Sequence, residues 1–127
     1  MRIVACDDDV SELEELKRQQ QEIGEKYQLP LDIRTFTEGE QCCEYLLLNS
    51  ADIVFMDMRM PVMNGLEATS LIREFNQTTP IIALTANAFD SDRENALAAG
   101  CNHFMTKPVK KRELMDLLFR YFKQQPQ

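Results

Sequence analysis

The feature that most constrains the fold of this chain is an alternation, repeated five times, between a short apolar run and a longer segment of helical periodicity. The apolar runs are Ile3 to Cys6, Leu31 to Thr37, Ile53 to Met56, Ile81 to Leu84 and Phe104 to Thr106. Short, unbroken apolar runs suit strands buried on both faces, and intervening helices act as crossovers between parallel neighbours. The helical segments are Val10 to Tyr27, with Leu13, Leu16, Gln20 and Ile23 on one face, and Glu40 to Leu48, marked by Cys42, Cys43, Leu46 and Leu47. A third is marked by Ala68, Leu71, Ile72 and Phe75, a fourth runs from Phe89 to Ala99, and a last carries Leu114, Leu117, Leu118, Tyr121 and Phe122. Pro30 and Pro80 stand before strands, Asn49 and Ser50 end the second helix, and Gly100 is a C′ residue closing the fourth. The pattern predicts an α/β domain over residues 1–123, a parallel sheet covered by helices on both faces, followed by a polar tail over 124–127.

The chain has 127 residues, enough for one core and one site. No apolar run approaches the roughly 20 residues of a membrane span, and the start of the chain lacks a secretory h-region, so a cytoplasmic location is expected. A net charge of −7 argues against nucleic acid as a direct partner, and the basic run Lys110-Lys111-Arg112 is too short to reverse that. The cysteines at 6, 42, 43 and 101 form no C-x-x-C pair and have only His103 beside them, which fits buried thiols better than zinc. Cys42 and Cys43 are neighbours on a helix and poorly placed for a disulfide. Cys6, Met56 and Met58 are expected in the core, and His103 at the surface or in a turn.

In an open parallel sheet, ligands sit beyond the carboxyl ends of the strands, and four strands here end in chemistry. The first delivers Asp7, Asp8 and Asp9, the third Asp57, the fourth Thr85 and the fifth Lys107. Carboxylates brought within ~5 Å repel by roughly 3 kcal/mol per pair at an effective dielectric of 20, so the cluster calls for a counter-charge. Oxygen donors without nearby nitrogen or sulfur select Mg²⁺. A metal-neutralised carboxylate beside a hydroxyl and an ammonium suits phosphoryl transfer to Asp57, the acid at the end of the most apolar strand. Asp7 and Asp8 would hold the metal, and Lys107 and Thr85 would bind phosphoryl oxygens. Taken singly, these residues have plainer readings as caps, turn residues or solvated side chains; Asp9 is expected to be the N-cap of the first helix. Their shared edge is what favours a site.

Asp7-Asp8, Phe55-Met56-Asp57-Met58-Arg59-Met60-Pro61, Met63-Asn64-Gly65, Ala83-Leu84-Thr85-Ala86 and Lys107-Pro108 together resemble the response-regulator receiver family of two-component signalling. The intervals of 49, 28 and 22 residues between Asp8, Asp57, Thr85 and Lys107 agree with that family's order and approximate spacing, from Ile3 to about Phe122. The resemblance implies a flavodoxin-like five-stranded sheet in order 2-1-3-4-5. It implies Asp57 as phosphoacceptor, Mg²⁺ bound directly by Asp8 and Asp57 and chiefly through water by Asp7, and the Arg59 backbone carbonyl as a further ligand. Thr85 is similar to the family's switch hydroxyl, Lys107 to its phosphoryl-binding lysine, with a cis bond to Pro108, and Phe104 to its switch aromatic. Phe104 lacks the hydroxyl of the Tyr that many members carry there, so its switch is expected to rest on packing.

A sensor histidine kinase or a histidine phosphotransfer protein is the implied phosphodonor, and a phosphorylation-dependent homodimer is compatible with the resemblance. Such a domain is no enzyme beyond its own phosphorylation and dephosphorylation. Thr85-Ala86-Asn87-Ala88 and Met58-Arg59-Met60-Pro61 look like receivers of hybrid kinases, while Ile3 to Asp9 and the long first helix also suit transcriptional regulators. Three other functions compete with this reading. A haloacid-dehalogenase-type phosphatase needs a second Asp two residues after the first, where this chain has Arg59. A flavodoxin's phosphate loop would not carry three acids. A non-phosphorylated pseudo-receiver, serving only as an interaction module, is the remaining alternative, and the full set of chemical groups speaks against it.

Overall fold

The computed structural model describes residues 1–86 and 90–123; Asn87 to Phe89, including the predicted start of the fourth helix, and the tail Gln124 to Gln127 lie outside the described residues. The elements follow the predicted alternation: β1 Arg2–Cys6, α1 Val10–Tyr27, β2 Asp32–Phe36, α2 Gly39–Leu48, β3 Ile53–Asp57, α3 Gly65–Phe75, β4 Ile81–Thr85, α4 Asp90–Ala99, β5 His103–Thr106 and α5 Lys111–Lys123. All strand pairs are parallel and the order is β2-β1-β3-β4-β5, the arrangement that the family resemblance implied.

Strand side chains alternate between faces, and this splits the core in two. Val4, Cys6, Val54, Met56, Ile81 and Ala83 face Cys42, Leu46, Ala68, Ile72 and Ala96 of α2, α3 and α4. Ile3, Ala5, Ile53, Phe55, Ile82 and Leu84 face Leu13, Leu16, Ile23, Leu114 and Leu118 of α1 and α5. The central strands β3 and β4 are buried along their whole length, whereas the edge strand β2 leaves Asp32, Arg34 and Thr35 exposed. That parity also decides on which side of the sheet each strand-end residue emerges.

Local signals set the helix ends. Asp9 is the N-cap of α1, its side chain accepting from the Glu12 N–H at 3.2 Å, as expected. Asn64 and Glu67 form a reciprocal capping box at the start of α3. Gly100 closes α4 with φ +118°, and a Cβ there would also press on Arg73 Cγ, the side chain whose Nε–H donates to the Gly100 carbonyl at 3.0 Å.

Several side chains depart from their predicted places. Leu47 is exposed rather than core-facing, because the buried stripe of α2 runs through Cys42, Cys43 and Leu46 and Leu47 falls just beyond its Cys43 edge. Leu71 is exposed on the flank of the α3 stripe of Gly65, Ala68, Thr69 and Ile72, and Phe75 is exposed at the last residue of that helix. His103 opens β5 instead of a turn and is half-buried, its ring edge-on to Tyr121 at 5.8 Å. The four cysteines are free and buried as expected, with the Cys6 Sγ 3.7 Å from Met60 Sδ.

Candidate functional site

Strand parity sorts the residues at the carboxyl edge. Asp57 continues the Ile53, Phe55 series of β3, Asp7 follows Ala5 by two, and Lys107 follows Met105 by two, so all three emerge on the α1/α5 side. Thr85 continues the Ile81, Ala83 series and emerges on the α3/α4 side, where it lines a groove with Arg59, Asn64, Asp92 and Asn95. Backbone bonds hold this edge together. The Asp7 N–H donates to the Phe36 carbonyl at 3.0 Å, the Met58 N–H to Leu84 at 2.9 Å and the Lys107 N–H to Thr85 at 2.7 Å. The Lys107-Pro108 peptide bond is cis.

Asp7, Asp8 and Asp57 each offer a carboxylate oxygen, and these oxygens lie within 4.8 Å of one another. Asp7 and Asp57 are buried and Asp8 is exposed, so the cluster opens outward through Asp8. The Asp9 N–H donates to Asp7 Oδ1 at 2.9 Å and fixes that carboxylate. The Lys107 ammonium reaches Asp7 Oδ2 at 2.7 Å, Asp57 Oδ1 at 3.2 Å and Glu12 Oε2 at 2.5 Å. One ammonium therefore bonds three carboxylates, with Asp8 a further acid in the cluster.

The electrostatics follow from that imbalance. Burial, reinforced by the charge of Asp7, pushes the Asp57 carboxyl up to about 7, although Lys107 and the Arg59 backbone N–H work in the opposite direction. Burial by itself would lower the Lys107 ammonium, but hydrogen bonds to Asp7 and Glu12 and the fields of Asp57 and Asp7 outweigh it and hold the group well above the ordinary lysine range. A site whose burial and neighbouring acid push a carboxyl upward is short of positive charge. Its donors are all carboxylate oxygens, with no imidazole or thiolate in the group, which suits a hard divalent cation.

The predicted residues fall at one edge. Asp7, Asp8, Asp57 and Lys107 meet directly, Thr85 stands across the sheet from them, and Arg59 supplies a backbone N–H to Asp57 while its side chain is exposed. Phe104 lies farther back on β5, half-buried against the α3/α4 half of the core. Glu12 went unrecognised in the sequence. The available signal was its position three residues after the N-cap Asp9, in the first turn of a helix that starts at the site.

The model of the response regulator receiver domain matches residues 3–119. Among curated proteins, the chain is 39% identical over 98 residues to the autoinducer 2 sensor kinase/phosphatase LuxQ of Vibrio vulnificus, covering 76% of this chain and 11% of that protein. It is 40% identical over 91 residues to the transcription factor SKN7 of Saccharomyces cerevisiae, covering 72% of this chain and 15% of that protein. The chain thus spans between 3% and 15% of the length of such curated relatives. Among solved structures, the receiver domain of the sensor histidine kinase PA1611 from Pseudomonas aeruginosa, crystallised with magnesium in its active-site cleft, is 32% identical with a TM-score of 0.84, covering 96% of this chain and 97% of that one.

Proposed function

This chain belongs to the response regulator receiver family, and from that premise we propose that Asp57 accepts a phosphoryl group from a phosphohistidine, with Mg²⁺ held by Asp7, Asp8 and Asp57. The observation that carries the reading is the cluster itself, in which carboxylate oxygens within 4.8 Å of one another meet a lysine ammonium at the end of two buried strands. The magnesium-bound PA1611 receiver supports the choice of ion. Asp8 and Asp57 would bind the cation directly, Asp7 through water, and the Arg59 carbonyl would complete the protein ligands.

Mg²⁺ would supply the charge neutralisation that the carboxylates and incoming phosphoryl oxygens require. Asp57 is the nucleophile: its carboxylate oxygen attacks phosphorus as the bond to the donor imidazole nitrogen breaks, leaving an acyl phosphate. The Lys107 ammonium moves onto a phosphoryl oxygen, and the Thr85 hydroxyl donates to another. The donor would be a histidine kinase or a histidine phosphotransfer protein, as the kinase relatives suggest. Among the described residues no helix is long and apolar enough to cross a membrane, and a cytoplasmic location fits a cytosolic phosphodonor.

Mass spectrometry after incubation with acetyl phosphate tests the reading. The parent should gain one phosphoryl group only in the presence of Mg²⁺, and Asp57→Asn should gain none. A phosphorylated Asp57→Asn protein would place the acceptor elsewhere.

A further inference from the structure

The Lys107 ammonium has three N–H donors, and each has a carboxylate to point at: Asp7 at 2.7 Å, Asp57 at 3.2 Å and Glu12 at 2.5 Å. Two of these acids belong to the cluster at the strand ends. Glu12 does not: it reaches in from the first turn of α1, so its bond to Lys107 joins α1 to the end of β5 across 95 residues of sequence. Of the three, Asp57 is the most distant from the ammonium.

A phosphoryl group on Asp57 takes over the donor now aimed at that carboxylate, but its oxygens lie beyond the Asp57 side chain, so the ammonium must move outward against its two other bonds, to Asp7 and Glu12. Asp7 cannot release it cheaply. Its side chain is 3% exposed, so bulk water cannot take the place of the ammonium there. Glu12 can, because its side chain is 47% exposed and water takes over at little cost. The contact that yields is therefore the one to Glu12.

We propose that Glu12 is a positioning residue, which draws the Lys107 ammonium toward α1 in the resting domain and releases it when Asp57 takes up a phosphoryl group. The proposal rests on the phosphoacceptor reading above. It makes release of Glu12 part of the barrier to phosphorylation, so removing the carboxylate speeds the step. It also makes the first turn of α1 responsive to the chemistry at Asp57, since Glu12 changes partner when the lysine moves.

The test compares the parent, Glu12→Gln and Glu15→Gln. Glu15 lies one turn further along α1 and is bonded to Arg18 at 2.5 Å, so its substitution makes the same change of charge without touching Lys107. Phosphorylation rates with acetyl phosphate and Mg²⁺ are measured by mass spectrometry. The Lys107 side-chain resonances are followed in protein labelled with ¹³C-lysine, without any phosphodonor, a readout that general stability does not move. Glu12→Gln should react about 1.5-fold to fivefold faster, the range an exposed ion pair supports, and should shift the Lys107 resonance. Glu15→Gln should do neither. A Glu12→Gln rate equal to or below the parent's, or an unmoved Lys107 resonance, overturns the inference and leaves the phosphoacceptor reading intact. A parent that takes up no phosphoryl group removes both.

Discussion

Thr85 and Phe104 stand on the same face of adjacent strands, Phe104 opposite Ala83 and Thr85 two residues nearer the site in the β4–β5 register. They are diagonal neighbours, a separation of roughly 7–8 Å that an aromatic side chain can bridge. Both lie on the α3/α4 side, Thr85 buried at the site and Phe104 half-buried behind it. A hydroxyl drawn toward a phosphoryl group would leave room on the side of the ring, and Phe104, with no hydroxyl of its own, would move in response to packing alone.

That coupling is open to fluorescence, because the chain contains no tryptophan. Phe104→Trp should report the packing of β5 by its emission, and Mg²⁺ with beryllofluoride should shift that emission. The same shift should disappear when Thr85→Ala is added. An emission change that survives Thr85→Ala would uncouple the pair.

The raised carboxyl of Asp57 makes stability depend on pH in a definite direction. Its folded value of about 7 stands above the ordinary 3.8, so the folded domain holds this proton more tightly than the unfolded chain does. The stabilisation is complete below about pH 4 and is lost as pH rises through about 7. In metal-free buffer, Asp57→Asn should therefore be more stable than the parent at pH 8, with the difference closing toward pH 4. Mg²⁺ should narrow the gap at pH 8 by stabilising only the parent's carboxylate. Denaturant unfolding at several pH values measures this, and a gap that widens on acidification would refute the assignment.

Gln20 is fully buried in α1, and among the described residues neither its amide oxygen nor its amide nitrogen has a hydrogen-bond partner. Its place in the stripe Leu13, Leu16, Gln20, Ile23 is that of an aliphatic side chain. Burying an unpartnered amide costs about 1–3 kcal/mol, so Gln20→Leu, which keeps nearly the same volume, should raise stability by a similar amount. Thermal unfolding checks it. A variant no more stable than the parent would mean that the amide is satisfied by internal water.

Gly65 begins α3 directly behind the phosphoacceptor, and a Cβ there would overlap the Asp57 carbonyl oxygen and lie 2.7 Å from Met58 Cα. These are backbone atoms of the strand end, which cannot move without moving Asp57. Gly65→Ala should cost about 1–3 kcal/mol through overpacking and should slow phosphorylation. Full activity at parental stability would show that the loop adapts.

The sequence by itself determined the sheet, its helices and the identity of the strand-end residues. Apolar runs stop abruptly at Asp7, Asp57, Thr85 and Lys107, and in a parallel sheet all such stops share an edge. The buried face of α1, Leu13, Leu16, Gln20 and Ile23, was legible for a similar reason, since helical spacing is a local property. The fully buried Gln20 shows the limit of that, because the pattern placed it on the inner face but could not say that it would lack a partner.

The three-dimensional structure alone decided which of the strand-end residues touch. Whether the Lys107 ammonium emerges on the Asp57 side or on the Thr85 side of the sheet depends on strand parity, and a shift of one residue would send each side chain to the other face. The pairing of Glu12 with Lys107 depends on the rotational phase of α1 against β5, and no local pattern links positions 95 residues apart. Exposure of Leu47, Leu71 and Phe75 was hidden for the same physical reason. Hydrophobicity tells that a residue prefers burial, but the width of the stripe that a neighbouring element covers is settled only when the two pack.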